Sequence, residues 1–250
     1  MAKGRPLPGD PEWTETDLFY NFDPFAAECR AYGRLKEVGK EYLAVRCHGY
    51  LILNAGQKSQ LNKFLKQTED FYFYSDPLDK FGPFTGQTRY RKDPIRALVK
   101  DYVDSKIEFL PHMIPQMMRD IHTYNKCGIC IADIKANNYL DGILFDLSRA
   151  LTVPHSRLTP RAIERARSKN DTEYTPTGDY QSFDLMIDEW NEDHADQFIW
   201  HRFLPSLGYA EKLRGSERWD KGRCIDWHRK CQEIVYYRPE LYKWEKPEKK

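Results

Sequence analysis

Residues 128–148 constrain the fold of this chain most strongly, because apolar runs there enclose a polar stretch. The apolar runs predict two short strands, and the polar stretch predicts the loop of a strand–loop–strand unit over residues 129–145. Immediately upstream, apolar residues at helical spacing predict an amphipathic helix that ends at Cys127 and Gly128, where Gly serves as the C-terminal cap. These apolar positions are Ile114, Met117, Met118, Ile121 and Tyr124.

Four polar side chains within residues 128–148 supply the functional groups that a phosphate-transfer site needs. Asp133 supplies a carboxylate that accepts a proton from a nucleophile, and Lys135 supplies positive charge for a moving phosphoryl group. Asn138 and Asp146 supply the oxygens that Mg²⁺ prefers. Single Asp or Asn residues in loops usually cap turns instead. Because all four fall within fourteen residues behind an amphipathic helix, we interpret them as a candidate catalytic and metal-binding set.

This segment resembles the catalytic loop and metal-binding strand of protein kinases. The resemblance implies that Asp133 is the catalytic-loop Asp and that Lys135 is the catalytic Lys two positions on. It implies that Asn138 and Asp146 bind the metal, with Asp146 heading a triplet that reads Asp-Leu-Ser in place of Asp-Phe-Gly. The cofactors implied are ATP and Mg²⁺.

Flanking segments extend the likeness to kinases. Glu28 lies where the Glu of the kinase regulatory helix would be, and residues 97–103 resemble the strand that enters the hinge between the two kinase lobes. The resemblance therefore makes Glu28 and Asp101 candidate cofactor-binding residues. Asp179 heads the sequence Asp-Tyr-Gln-Ser-Phe, which resembles the start of the central C-lobe helix of kinases. In that family the Asp braces the catalytic loop.

More narrowly, the chain looks like a fungal family of kinase-like proteins described as kinetochore complex subunits. The similar stretches are residues 23–35, 146–155, 183–191 and 213–214. The wider kinase likeness covers residues 22–53 and 95–200. The family resemblance implies a kinetochore protein of the nucleus, and it implies no particular mechanism.

The departures from the kinase pattern predict an impaired site. Ile131 and Ala132 replace the His and Arg before the catalytic Asp, and Ser148 replaces the Gly of Asp-Phe-Gly. The chain upstream of Glu28 is too short for a glycine-rich loop and a strand with the phosphate-pairing Lys, and such positioning supplies most of the catalysis in this chemistry. We therefore expect a pseudokinase that binds ATP and Mg²⁺ weakly and acts as a protein-interaction module.

Two alternatives remain open. The retained Asp133, Asn138 and Asp146 favour a residual protein-kinase-like phosphotransferase that depends on ATP and Mg²⁺. The sequence also fits a fragment of a longer active protein, in which a Gly-rich motif and an Ala-x-Lys strand would be encoded upstream.

The expected fold class is α+β of the protein-kinase type, with a mostly helical C-lobe and a truncated N-lobe of a few antiparallel strands plus one helix. Residues 1–20 are expected to be an extended lead-in, and residues 21–103 form the N-lobe. That lobe contains an insertion at 54–94 with at most short elements. Residues 104–245 form the helical C-lobe and residues 246–250 a frayed tail.

Local patterns place further elements. Asp23 and Pro24 predict the N-cap and first residue of a helix. Residues 41–53 predict one or two strands, and residues 95–103 predict another. Two helices are predicted from buried stripes, which are Phe25, Cys29, Tyr32 and Leu35 in the first and Tyr180, Phe183, Met186, Ile187 and Trp190 in the second.

Charge and composition argue against several classes of protein. The formal net charge of +1 gives no global field that would attract nucleic acid or an anionic membrane. The N-terminal sequence lacks the apolar core of a secretory signal, and no apolar run approaches the ~20 residues that span a bilayer. The six cysteines do not resemble a secreted disulfide framework. We therefore expect a cytoplasmic or nuclear protein that binds no membrane and does not bind nucleic acid directly.

Two cysteine clusters raise the question of zinc. Cys127 and Cys130 form a C-x-x-C without a second pair, so buried packing thiols are the simpler interpretation. Cys224, His228 and Cys231 share one face of a predicted helix but supply three ligands, whereas structural zinc takes four. We expect no zinc.

A basic segment at residues 156–169 is the candidate surface for a protein partner. Arg157, Arg161 and Arg165 would share a helical face, with Glu164 the one acidic residue of the segment. A solvated basic helix is the default interpretation, and an acidic or phosphorylated partner is the more specific one.

Overall fold

The structure is a computed structural model that describes residues 23–65, 95–159, 162 and 175–194. The chain divides into two compact units, of which one is residues 47–100 and the other combines residues 1–46 with 101–250. The regular elements in the described residues are helices and two-stranded antiparallel sheets, so the fold is of the α+β class. The expected lead-in, the tail and residues 66–94 of the expected insertion lie outside the described residues.

The first helix in the described part of the larger unit is α1, Pro24–Glu37. Asp23 is its N-cap, as predicted, because its Oδ1 accepts a hydrogen bond of 2.9 Å from the N–H of Ala26. The helix ends where Gly39 adopts a φ of 65°, a left-handed conformation that glycine tolerates without strain. Cys29, Tyr32 and Leu35 are buried, which confirms the predicted apolar stripe apart from half-buried Phe25.

Helix α3, Ile114–Lys126, confirms the amphipathic helix predicted before the polar loop. Four of its five predicted core positions are buried, and Met118 is half-buried. Cys127 caps the helix and Gly128 follows with a φ of 80°, so the glycine ends the helix as expected.

Short strands surround the polar loop. Strand β3, Ile129–Cys130, pairs with β6, Leu151–Thr152. Strand β4, Tyr139–Leu140, pairs with β5, Ile143–Leu144, across a two-residue turn with φ values of 49° at Asp141 and 72° at Gly142. The strand–loop–strand prediction is confirmed, with the loop held between two small sheets rather than one.

Helix α4, Pro176–Asp193, packs against α3. Its N-cap is Thr175, whose hydroxyl accepts a hydrogen bond of 3.2 Å from the N–H of Gly178. All five predicted core positions of this helix are buried. Phe109 packs near Trp190, with ring centroids 6.0 Å apart.

The smaller unit contains β1, Cys47–Leu53, antiparallel to β2, Ile95–Lys100. Helix α2, Ala55–Leu65, follows β1 directly, although the sequence predicted at most short elements there. The missed signal is a capping box, in which Asn54 and Gln57 each bond the backbone N–H of the other at 2.9 and 3.0 Å. Strand β2 ends at Lys100, three residues before the predicted end.

A half-buried carboxyl group interrupts the apolar side of α3. Asp120 lines a shallow indentation together with the buried Tyr124 and Tyr139. Burial raises the pKa of Asp120, against the lowering effects of a hydrogen bond from Gln116 and the charge of Arg119. Burial likewise raises the pKa of both tyrosines, so both phenols are neutral at physiological pH.

The raised pKa of Asp120 predicts a pH-dependent penalty on folding. The folded chain binds this proton more tightly than the unfolded chain, so stability is lost as the pH rises above the ordinary value of 3.8. Asp120→Asn should therefore raise the free energy of unfolding at pH 7, and the difference should vanish toward pH 3.5. Urea unfolding at both pH values measures it. Glu189→Gln, at an exposed position of α4, is the control and should change stability by less than about 0.5 kcal/mol. A wild-type-like Asp120→Asn at pH 7 would contradict the assignment.

Candidate functional site

The backbone that precedes the polar loop is held by the buried carboxylate of Asp179, in the first turn of α4. Its Oδ2 accepts hydrogen bonds from Asn125 Nδ2 at 2.8 Å and from the N–H of Ile131 at 3.0 Å. Its Oδ1 accepts one from the N–H of Ala132 at 2.9 Å. Three donors thus compensate the cost of burying the carboxylate. Asp179 joins α3, the loop and α4 at one point.

The residue directly before Asp133 has a strained backbone. Ala132 adopts a φ of 58°, in the left-handed region that side chains with a Cβ disfavour. The hydrogen bond from its N–H to Asp179 holds it there. The brace therefore fixes the direction in which the chain enters Asp133.

Asp133 is surrounded by an amide and two cations. Asn138 Nδ2 donates to the Asp133 backbone carbonyl at 2.8 Å and to its Oδ2 at 3.0 Å. Lys135 Nζ lies 3.1 Å from Oδ2, and Arg149 Nη1 lies 3.8 Å from Oδ1. The structure thus brings together three of the predicted site residues, and it adds Arg149, which was not predicted to lie there. The signal that could have predicted this contact is the position of Arg149, a cationic residue three positions after Asp146.

Asn138 and Asp146, which the kinase resemblance makes the metal-binding pair, keep oxygen atoms available for a cation. Asn138 uses its NH₂ group on Asp133, which leaves its Oδ1 without a donor from the described part of the chain. Asp146 Oδ1 accepts the N–H of Ser148 at 2.8 Å, which leaves Oδ2. The N–H of Phe145 bonds the carbonyl of Asn138 at 3.0 Å and links the two positions. This donor set fits Mg²⁺, which takes one or two protein oxygens and completes its shell with phosphate and water.

Among the described residues, no group of three or more His, Cys, Asp or Glu side chains is arranged to hold a metal ion. With Asn138 and Asp146 as its ligands from the described residues, a Mg²⁺ ion would complete its shell with further oxygens, such as those of nucleotide phosphates. When bound, it would neutralise phosphate charge.

Glu28 and Arg34 tie helix α1 to the segment that contains Asp146. Glu28 Oε1 accepts the N–H of Leu147 at 3.3 Å, and Arg34 Nη2 donates to the carbonyl of Val153 at 2.7 Å. Both side chains are buried. Glu28 therefore lies beside the candidate site but bonds to its backbone.

The remaining predicted residues fall elsewhere. Asp101 is exposed, its N–H donates to the carbonyl of Arg46 at 2.9 Å, and it takes no part in the hydrogen bonds described above. Cys127 is half-buried and Cys130 is buried in β3. Arg157 is exposed, beside the buried His155. Outside the described residues lie Arg161, Arg165, Cys224, His228 and Cys231.

The brace predicts a large loss of stability for Asp179→Ala. The substitution leaves buried donors unpaired, at about 1–3 kcal/mol each. The free energy of unfolding from urea titration should fall by the summed cost of these donors. Asp193→Ala, at an exposed position of the same helix, should leave the free energy of unfolding near the wild-type value. Coincident unfolding curves for wild type and Asp179→Ala would refute the structural role of this carboxylate.

Comparisons with known proteins connect this site to a family. No curated protein and no solved structure matches the chain. Across the described residues, no helix is long and apolar enough to cross a membrane. Residues 10–151, which include α1, the polar loop and Asp146, match the family described as kinetochore Sim4 complex subunit FTA2. Because the match covers more than half of the chain, the protein belongs to the kinetochore Sim4 complex subunit FTA2 family.

Proposed function

We propose that this chain is a nuclear, chromosome-associated component of a kinetochore complex. Family membership over residues 10–151 is the observation on which the proposal rests. As a subunit it would act by binding other proteins, and we assign it the role of a protein-interaction module with a kinase-like helical lobe.

The kinase-like part of the proposal is supported by hydrogen bonds. In the kinase resemblance, the Asp at the start of the central helix braces the catalytic loop, and Asp179 bonds the N–H groups of Ile131 and Ala132. Asn138 bonds Asp133, as expected if the two share one loop. These contacts preserve a loop geometry even though Ile131 and Ala132 have lost the side chains that kinases use.

The surroundings of Asp133 favour a non-catalytic role. Its carboxylate contacts Asn138, Lys135 and Arg149, so its oxygen atoms already face three positive or donor groups. A general base must be free to reach the proton that it removes. Glu28 bonds the backbone of Leu147, which gives it a structural partner. We therefore propose a pseudokinase.

A second candidate function is weak nucleotide binding with Mg²⁺. The oxygens Asn138 Oδ1 and Asp146 Oδ2 favour it, because they match the ligands that Mg²⁺ prefers. Without further groups on the phosphates, the terminal phosphate would remain mobile and little of the barrier to transfer would be removed.

The kinetochore role predicts where the protein is found in cells. A tagged chain expressed from its own locus should be enriched at centromeric DNA in chromatin immunoprecipitation, because kinetochore complexes assemble there. Asp133→Asn should keep that enrichment if the site has no catalytic duty, whereas the destabilised Asp179→Ala should reduce it through loss of folded protein. Uniform distribution of the wild-type tag along chromosomes, or its absence from chromatin, would reject the proposed role.

The pseudokinase assignment predicts the outcome of a nucleotide assay. Calorimetry with Mg²⁺ and ATP should show binding no tighter than roughly the sub-millimolar range, and labelled ATP should give no phosphoryl transfer above background. Asp146→Asn should remove any Mg²⁺-dependent binding, and the control Asp193→Asn should not. Robust transfer by the wild type that both Asp133→Asn and Asp146→Asn abolish would establish the phosphotransferase alternative.

A further inference from the structure

Residues 101–110, in the larger unit, form an exposed loop with a fixed backbone. The N–H of Asp141 donates to the carbonyl of Ile107 at 2.9 Å, and the N–H of Gly142 donates to the carbonyl of Glu108 at 2.8 Å. The loop is also anchored by the buried Phe109, which packs near Trp190 of α4. A loop fixed at these points loses little conformational entropy when a partner binds it.

Large apolar side chains on this loop face solvent. Tyr102 is 87% exposed and Ile107 is 46% exposed. Ile143, 43% exposed, directly follows the 141–142 turn, and the N–H groups of that turn bond the loop. Grouped exposed apolar side chains mark interaction sites more often than scattered ones do.

Unpaired carboxylates accompany these apolar groups. Asp104, Glu108 and Asp141 are exposed, and within the described part of the chain none of them forms an ion pair. Asp104 accepts a 3.4 Å hydrogen bond from Tyr102, and Asp141 accepts one of 2.8 Å from Ser105. Lys106 is the one Lys or Arg residue in the loop of residues 101–110, so the three carboxylates outnumber it. The surface therefore carries a net negative charge around exposed apolar groups.

We propose that this surface, which we call the acidic loop patch, docks a basic segment of a partner protein that also carries apolar side chains. The patch consists of Tyr102, Asp104, Ile107, Glu108, Asp141 and Ile143. Cations of the partner would pair with the carboxylates, and its apolar groups would cover the tyrosine and isoleucines. The sign of the charge disfavours nucleic acid and anionic lipid, whose phosphates the carboxylates repel. The proposal rests on the protein-binding role proposed above, and it specifies the chemistry of the partner.

Site-specific crosslinking tests the patch directly. A photoreactive benzophenone amino acid replaces Ile107 in the tagged full-length chain, crosslinking is carried out in cells, and mass spectrometry reads the captured peptide. We expect a segment of another protein with a net positive charge and apolar residues. The same group at Leu185, 58% exposed on α4, is the control and should not capture that segment. Capture of an acidic segment, of nucleic acid or of this chain itself would overturn the proposal, as would no capture.

Charge reversal provides the matched variant. Asp104→Lys with Glu108→Lys should lower the yield of the crosslink at position 107 about tenfold, because two attractions become repulsions. Glu189→Lys with Glu192→Lys makes the same charge change on the exposed side of α4 and should leave the yield unchanged. Melting curves verify that both variants fold. An equal yield in both double variants would overturn the proposal.

The two proposals fail separately. Loss of centromeric enrichment together with capture of a basic segment would reject the kinetochore role and leave the acidic loop patch in place. Normal enrichment with charge-independent crosslinking would reject the patch alone.

Discussion

The buried carboxylate of Asp179 is the interaction on which the rest of the larger unit depends. A charge in the interior is costly unless donors surround it, and Asp179 is fully buried with three of them. Those donors come from α3 and from the residues that enter the polar loop, so one side chain fixes the relation of three chain segments. The left-handed Ala132 shows what the brace achieves, because that conformation is unfavourable for alanine in isolation.

A second set of bonds acts on the far end of the polar loop. Glu28 and Arg34 of α1 form hydrogen bonds with the backbone of Leu147 and Val153. These two residues lie on either side of strand β6 in the chain. Asp146 thus directly precedes Leu147, whose N–H is bonded to Glu28 of α1. The polar loop is fixed from α4 at its start and from α1 after its end, and these contacts use backbone groups. Side chains in the loop can therefore change while its path is kept.

The sequence predicted the elements whose signals are local. The N-cap at Asp23, the glycine stop at Gly128 and the apolar stripes of α3 and α4 all appear in the structure. Helix α2 was missed because its few apolar residues give a weak stripe, although Asn54 and Gln57 form a capping box. Bonds between distant segments were beyond local patterns, which is why the Arg34–Val153 contact and the position of Arg149 came from the structure. The Asp179 brace was predictable through the kinase resemblance, which supplied the distant partner.

Helix α4 connects the two surfaces for which functions are proposed. Its first turn carries Asp179, which sets the path into Asp133. Its last turn carries Trp190, near which Phe109 anchors the loop of residues 101–110. The turn at Asp141 and Gly142 connects β4 to β5. The loop of residues 101–110 is therefore also bonded to the strand pair that directly follows Asn138. A rigid helix with both attachments can hold a binding surface in position whatever chemistry the neighbouring site has. Selection for partner binding alone would then maintain the brace and the loop path, because both set the position of the docking surface. On this argument the backbone geometry around Asp133 would be kept as a structural requirement of partner binding, whether or not the site transfers phosphate.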